Sequence, residues 1–152
     1  MDLKKGMNVT IHLRTLIKQN NEEEEFLYEL LGQVARVGDN LYIRYQEPQE
    51  NGVTYPVTLK IFPDGQVQLV RTAQTRTRFL FNQGQVTETR YQTPYGNIEL
   101  GVKTKKLHFS LKDEPISGRV EVVYDLLMAT ETVGNYFFEL VFLEESQGKP
   151  KE

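Results

Sequence analysis

Apolar and polar residues alternate along this chain in one segment after another, and this alternation limits what the chain can fold into. In the segment 7–19, Val9, Ile11 and Leu13 share one side of an extended chain, and polar residues occupy most of the other side. A period of two residues is typical of a half-buried β-strand. Turn signals such as Asn51-Gly52 separate the alternating segments, and they recur about every 10–20 residues. The pattern predicts an all-β protein.

Strands joined one after another in this way form an antiparallel meander. An open meander would leave two long sheet edges exposed, so closure into a barrel is favoured. We therefore predict an up-and-down β-barrel of about 8–10 strands, whose interior has room for one small ligand. A chain of 152 residues is most simply one domain. We assign residues 1–145 to the barrel and residues 146–152 to a polar C-terminal tail.

The tetrapeptide Thr93-Pro94-Tyr95-Gly96 separates two of the longest strand-like runs, residues 78–92 and 97–105. Proline fixes the backbone for the second position of a tight turn, and glycine is favoured at the fourth. These residues predict the corner between two long strands. Tyr95 is expected to be a packing or corner residue rather than a ligand contact.

Two segments are harder to interpret. In the segment 26–37, apolar residues recur at helical spacing after four glutamates that suit a helix N-terminus, but they also fit one face of a strand that contains Gly32. The segment 66–81 keeps one alternation for sixteen residues, which predicts a single long strand with a bend or bulge at residues 73–77.

The composition is that of a soluble globular protein, with 39% hydrophobic and 26% charged residues. The chain has no cysteine, which excludes disulfides and thiolate metal sites and suits a reducing compartment. No apolar run is long enough for a signal peptide or a membrane span. We therefore expect a cytoplasmic protein.

An ordered series of short motifs resembles a known family. The motifs are Gly32, residues 41–47 (LYIRYQE), residues 58–61 (TLKI), residues 67–71 (VQLVR), Phe79, residues 91–96 (YQTPYG), Thr104, Tyr124 and residues 134–136 (GNY). In this order they resemble the YwiB-like family of small bacterial proteins, which are uncharacterised in function. The chain departs from that pattern at Thr72-Ala73, where a glycine is expected.

The resemblance implies a calycin-type barrel, related in shape to lipocalins and fatty-acid-binding proteins, in a bacterial and cytosolic protein. It also favours a strand over a helix for the segment 26–37. It implies no reaction.

Catalytic motifs are absent from the sequence. It contains no phosphate-binding Gly-Lys loop, no dinucleotide-binding glycine pattern and no nucleophilic serine elbow. His12 and His108 lie on the polar sides of their strands and far apart in sequence, whereas a metal site needs three or four converging ligands. We expect no enzymatic activity, no cofactor and no metal site.

Polar residues at apolar positions of the alternation identify a candidate site. Arg71 continues a series of inward positions in its segment, as Glu47 does after Tyr45. A buried guanidinium needs a partner, because an unpaired charge in the interior costs several kcal/mol. Two interpretations remain: an internal Arg71–Glu47 pair that fixes the strand register, or a site in which Arg71, Tyr45 and Tyr124 bind a small amphipathic or anionic molecule.

An alternative function follows from the distribution of charge. Residues 66–112 carry eight basic and two acidic side chains, a net charge of +6, whereas the rest of the chain carries −9. Such a segment can bind nucleic acid or an acidic protein. The candidate contacts are Arg76, Arg78, Lys103, Lys105 and Lys106.

Overall fold

The computed structural model describes residues 6–49, 51–73 and 75–145, and every regular element in these ranges is a β-strand. The ten strands are β1 (Met7–Gln19), β2 (Glu22–Val37), β3 (Asn40–Pro48), β4 (Thr54–Ile61), β5 (Val67–Thr72), β6 (Arg76–Phe81), β7 (Val86–Thr93), β8 (Gly96–Asp113), β9 (Ile116–Met128) and β10 (Glu131–Glu144). The predicted fold class and the upper predicted strand number are confirmed.

The ten strands form one antiparallel sheet in the order β6-β5-β4-β3-β2-β1-β10-β9-β8-β7. The first and last strands pair with each other, from Val9 opposite Glu144 to Lys18 opposite Asn135. With this pairing, β6 and β7 are the two end strands of the sheet. They contact each other through side-chain hydrogen bonds, so the sheet forms a nearly closed barrel.

The seam of the barrel lies between β6 and β7. In the part of the chain that the structure describes, these consecutive strands share no backbone ladder. Instead, two inward-facing threonines of β7 donate side-chain hydrogen bonds to β6: Thr87 to the carbonyl oxygen of Leu80, and Thr89 to that of Arg78. Side-chain hydroxyl groups therefore donate hydrogen bonds across the seam, whereas backbone amides donate them between the other neighbouring strands.

The interior is tightly packed in the half of the barrel that holds the start of β1 and the end of β10. Val9, Ile11 and Phe142 are all 0% exposed there. A Cβ atom added to Gly118 would lie 2.4 Å from Cζ of Phe142 and 2.8 Å from the carbonyl oxygen of Ser110. The phenyl ring therefore occupies space that only glycine leaves free.

The segment 26–37 belongs to strand β2, as the family resemblance implied. Asn20 and Asn21, with φ of 52° and 63°, make the two-residue turn before it. The four glutamates that would suit a helix start are strand residues paired with β1. Leu27 and Leu31 point outward, with exposures of 66% and 72%.

The prediction of one long strand over residues 66–81 is wrong. β5 and β6 form an antiparallel hairpin in which Arg71 lies opposite Thr77, and the chain reverses around Ala73 and Thr75. Paired residues share a face of the sheet, so the odd-numbered positions point inward on both strands. The alternation therefore passes through the reversal unchanged.

The predicted polar tail, residues 146–152, lies outside the described residues. Within the described ranges, no helix has the length and apolar character needed to cross a lipid bilayer.

Candidate functional site

A cavity of about 1170 Å³ opens at the barrel end that carries the β3–β4, β5–β6 and β7–β8 turns. We call it the open-end cavity. Its lining includes Thr75 and Thr77 near the β5–β6 turn, Tyr91 from β7 and Tyr136 from β10. Polar and small side chains share this lining with large apolar ones such as Leu69 and Phe138, whereas the inward positions of the opposite half are filled by apolar side chains with almost no exposure.

Arg71 and Glu47 meet in the wall of this cavity. Tyr45 lies opposite Val57, and Val57 lies opposite Arg71, in adjacent strands β3, β4 and β5. Glu47 is two residues after Tyr45 on the same face, so its carboxylate reaches across β4. Nη2 of Arg71 donates to Oε2 of Glu47 over 3.0 Å, and Nε lies 2.9 Å from Oε1.

The pair is only partly shielded from solvent. The side chains of Arg71 and Glu47 are 36% and 18% exposed. Burial alone would lower the pKa of Arg71, but the Glu47 carboxylate outweighs that effect and raises the pKa above its ordinary value. Oε1 of Glu47 also accepts a hydrogen bond from Nε2 of Gln49 over 3.3 Å. The guanidinium is therefore charged, and both carboxylate oxygens of Glu47 already accept a hydrogen bond.

Two tyrosines predicted as site residues lie close to this pair. Tyr45 is 4% exposed, and its hydroxyl has no hydrogen-bond partner among the described residues. Burial raises the pKa of Tyr45 well above its ordinary value, Glu47 adds to this rise, and Arg71 opposes it. Burial likewise raises the pKa of Tyr124. Both phenols therefore stay protonated at neutral pH, and their hydroxyls are available as donors.

Aromatic rings surround Tyr124 at the inner end of the cavity. The ring of Tyr136 stacks on it at 5.0 Å with 7° between the planes, because the two residues face each other across β9 and β10. The ring of Phe79 meets it edge-on at 6.2 Å. Sequence reasoning did not identify Tyr136 or Phe79 as site residues. An aromatic residue at an inward position has the same pattern as a core residue.

The predicted corner is a turn between β7 and β8. Thr93 Oγ1 donates to the carbonyl oxygen of Gly96 over 2.7 Å and accepts from the amide of Tyr95 over 3.1 Å. Gly96 has φ of 120°, a left-handed conformation that suits glycine. Tyr95 lies in this turn but is 100% exposed, so of its two expected roles the packing role is wrong. Its ring projects into solvent beside the cavity mouth.

The structure separates the five cations of the alternative site. Nζ of Lys105 lies 3.2 Å from Asp125, and Nζ of Lys106 lies 3.0 Å from Glu121. Both acids come from β9 and therefore lie outside the segment 66–112. The hydrogen bond from Lys106 is the main cause that lowers the pKa of Glu121.

The other three cations are exposed on two strands. Arg76 and Arg78 are on β6, and Lys103 is on β8. The excess of positive charge in the segment 66–112 is therefore reduced by neighbouring strands, and it does not form one uninterrupted basic face.

No group of three or more histidine, aspartate or glutamate side chains lies close enough to hold a metal ion in the described ranges. His12 is 3.6 Å from Glu29 on the outer surface, where its side chain is 63% exposed.

Comparisons with known proteins agree with this architecture. A family model described as "Domain of unknown function (DUF1934)" matches residues 11–140. The chain is 23% identical over 129 residues to an uncharacterised β-barrel protein, YwiB of Bacillus subtilis, a match that covers 85% of this chain and 88% of that protein. The crystal structure of the YwiB protein superposes with a TM-score of 0.78 at 20% identity, covering 94% of this chain and 95% of that one.

Proposed function

The chain belongs to the DUF1934 family, and we propose that this member is a non-catalytic protein that binds one small amphipathic molecule in the open-end cavity. The observation that carries this proposal is the cavity itself. It combines a guanidinium–carboxylate pair at its wall with aromatic rings at its inner end. Ligand sites commonly have this character: a mostly apolar cavity with a few polar groups that orient the ligand.

The polar part of the ligand is expected to accept hydrogen bonds. Arg71 directs one edge of its guanidinium at Glu47, which leaves donors on its other edge. The buried hydroxyl of Tyr45 has no described partner. A site with surplus donors suits a carboxylate or a carbonyl oxygen. A doubly charged head group fits less well, because Glu47 already neutralises the single cation.

The apolar part of the ligand is expected to lie against the aromatic rings. Tyr124, Tyr136 and Phe79 present ring faces or edges to the cavity. Burial of apolar surface against them would contribute about 25 cal/mol for each Å² removed from water. The volume of about 1170 Å³ is ample for one molecule of the size that protein cavities usually hold.

Binding of nucleic acid or an acidic protein through residues 66–112 has less support. Lys105 and Lys106 are paired with Asp125 and Glu121, so a polyanion would have to compete with these carboxylates. Arg76, Arg78 and Lys103 remain available, but they lie on two different strands.

The direct test is to extract purified protein with organic solvent and to identify any released molecule by mass spectrometry. We expect an amphipathic compound at a stoichiometry near one. A matched sample of an Arg71→Gln, Tyr124→Leu double variant should carry much less of it. Equal recovery from both samples, or from neither together with no binding of added amphipathic probes, would count against the proposal.

A further inference from the structure

Strand β8 continues far beyond its neighbour β7. β7 pairs only with Gly96–Lys103 of this 18-residue strand, whereas β9 pairs with it as far as Asp113. The β6–β7 turn reaches the next part of the edge: the amide of Thr104 donates to the carbonyl oxygen of Gln85 over 3.1 Å. Gln83 then accepts from the amide of Leu107 over 3.0 Å.

The edge of β8 after Leu107 has no strand beside it in the described part of the chain. The amide of Leu107 points away from β9, because it donates to Gln83 on the opposite side. Alternate residues of a strand direct their backbone groups to the same side. The amides and carbonyls of Phe109 and Leu111 therefore face the open edge, where no described residue bonds to them.

A groove of about 400 Å³ lies along this edge, and we call it the side groove. Its apolar lining comes from two sides of the barrel: Leu107, Phe109 and Leu111 of β8, and Leu41, Ile61 and Phe62 opposite them. The three β8 residues are only partly buried, although Val120 and Val122, opposite Phe109 and Leu107 on β9, are 0% exposed. The difference arises because β6 and β7 end before they reach this level.

An unpaired strand edge beside an apolar groove is the arrangement that an extended peptide recognises. A peptide that adds a strand pairs its backbone with the edge and inserts every second side chain into the groove. The edge of β8 offers the backbone groups of Phe109 and Leu111, and the side groove offers the apolar surface between them and Phe62.

The outward side chains of this edge indicate the charge of the partner. They are Lys106, His108, Ser110 and Lys112, and none is acidic. The lining of the side groove adds one residue of each charge, Arg36 and Asp39. A second copy of the chain, paired antiparallel about Phe109, would place Lys106 opposite Lys112, and like charges opposite each other destabilise a sheet. An added strand with acidic outward residues would instead lie next to Lys112 and His108. Lys106 is already paired with Glu121.

We propose that the side groove binds an extended segment of a partner protein, in which apolar and acidic residues alternate, as an additional strand on β8. This site is separate from the open-end cavity, and the proposal does not depend on the function assigned to that cavity.

The test uses a short synthetic peptide in which glutamate and valine alternate, added to ¹⁵N-labelled protein. We expect hydrogen exchange of the Phe109 and Leu111 amides to be fast in the free protein and slowed by the peptide. Lys112→Glu should weaken binding about fivefold, by exchanging an attractive cross-strand pair for a repulsive one. The matched control is Lys103→Glu, which changes an outward lysine of β8 where β7 covers the edge. It should leave the affinity unchanged.

Three outcomes would overturn the proposal. The first is no protection of these two amides at about 1 mM peptide, the weak end of specific recognition. The second is protection confined to residues of the open-end cavity. The third is equal weakening by Lys112→Glu and Lys103→Glu.

Discussion

The guanidinium of Arg71 crosses strand β4 to reach the carboxylate of Glu47, and Nη2 donates to Oε2 over 3.0 Å. The two residues are 24 positions apart in sequence and two strands apart in the sheet. The pair links β3 and β5 across β4 and, at the same time, offsets the positive charge that Arg71 brings to the open-end cavity. Stability and ligand binding should therefore respond in opposite directions to the loss of Glu47.

Replacing Glu47 by glutamine should lower the free energy of unfolding by about 1 kcal/mol, because the pair is partly exposed and screened by solvent. Urea denaturation monitored by circular dichroism measures this change. The control is Glu99→Gln, which removes the carboxylate of an exposed pair with Arg90 at 3.7 Å. That control should stay within about 0.5 kcal/mol of the wild type. Equal losses in both variants would show that the Glu47 pair contributes no more to the free energy of unfolding than an exposed ion pair does.

The same Glu47→Gln variant should bind a dansyl-labelled C11 carboxylic acid more tightly, because the probe no longer competes with a neighbouring carboxylate. Arg71→Gln should weaken that binding about tenfold, the usual scale for a lost hydrogen bond to a charged group. Fluorescence titration gives both affinities. Arg78→Gln, on the outer face of β6, is the matched control. If Arg71→Gln and Arg78→Gln bind the probe equally, Arg71 does not hold the head group.

Tyr45→Phe should raise the free energy of unfolding of the ligand-free protein by about 1 kcal/mol, because it removes a buried hydroxyl with no described partner. The same change should weaken binding of the carboxylate probe, to which that hydroxyl would donate. Urea denaturation and fluorescence titration measure the two effects. A loss of both stability and affinity would mean that the hydroxyl has a partner within the folded protein.

Stability should also fall at alkaline pH because of Tyr45 and Tyr124. Their pKa values are raised in the folded protein, so the folded state keeps protons that the unfolded chain releases above about pH 10. The contribution of these groups is fully present below that pH and is lost as the pH rises. Unfolding measured from about pH 8 to about pH 11 should have a smaller pH dependence in Tyr124→Phe. Tyr95→Phe, which changes a fully exposed ring, serves as the control and should keep the wild-type slope.

The threonines of the seam should contribute measurably to closure of the barrel. Thr87→Val and Thr89→Val each remove a hydroxyl donor to a β6 carbonyl at nearly constant volume, which should cost about 1 kcal/mol each. Hydrogen exchange of the β6 and β7 amides should quicken, while exchange in β1 and β10 should not change. Thr58→Val, at a β4 threonine paired across the sheet with Val70, provides the comparison. Uniform faster exchange throughout the barrel would indicate global destabilisation instead.

Much of the fold could be predicted from the sequence. Apolar residues on the buried face of each strand alternate with polar residues on the other face, and most turns contain glycine, asparagine or proline. The hairpin between β5 and β6 could not be predicted in this way. The chain reverses near Ala73 and Thr75, and the described residues of this turn include neither glycine nor proline. The odd-numbered residues point inward on both strands of the hairpin. A bent strand and a hairpin therefore leave the same pattern in the sequence.

The same pattern predicts only some of the residues of the candidate site. Arg71 and Glu47 are conspicuous because charged residues seldom occupy inward positions. Tyr136 gives no such signal, since an aromatic residue at an inward position is ordinary. The pairing of Lys105 with Asp125 also could not be foreseen, because it depends on which strand lies beside β8.

The pairing of β1 with β10 makes the chain suitable for circular permutation. Asn8 and Glu145 are joined by a backbone hydrogen bond of 3.0 Å, so a short linker could connect these positions. New ends could then be opened in the turn between Phe81 and Val86, the single place where consecutive strands share no ladder in the described sheet. In such a circular permutant every strand would pair with its neighbour along the chain, and the order of the sheet would become the order of translation.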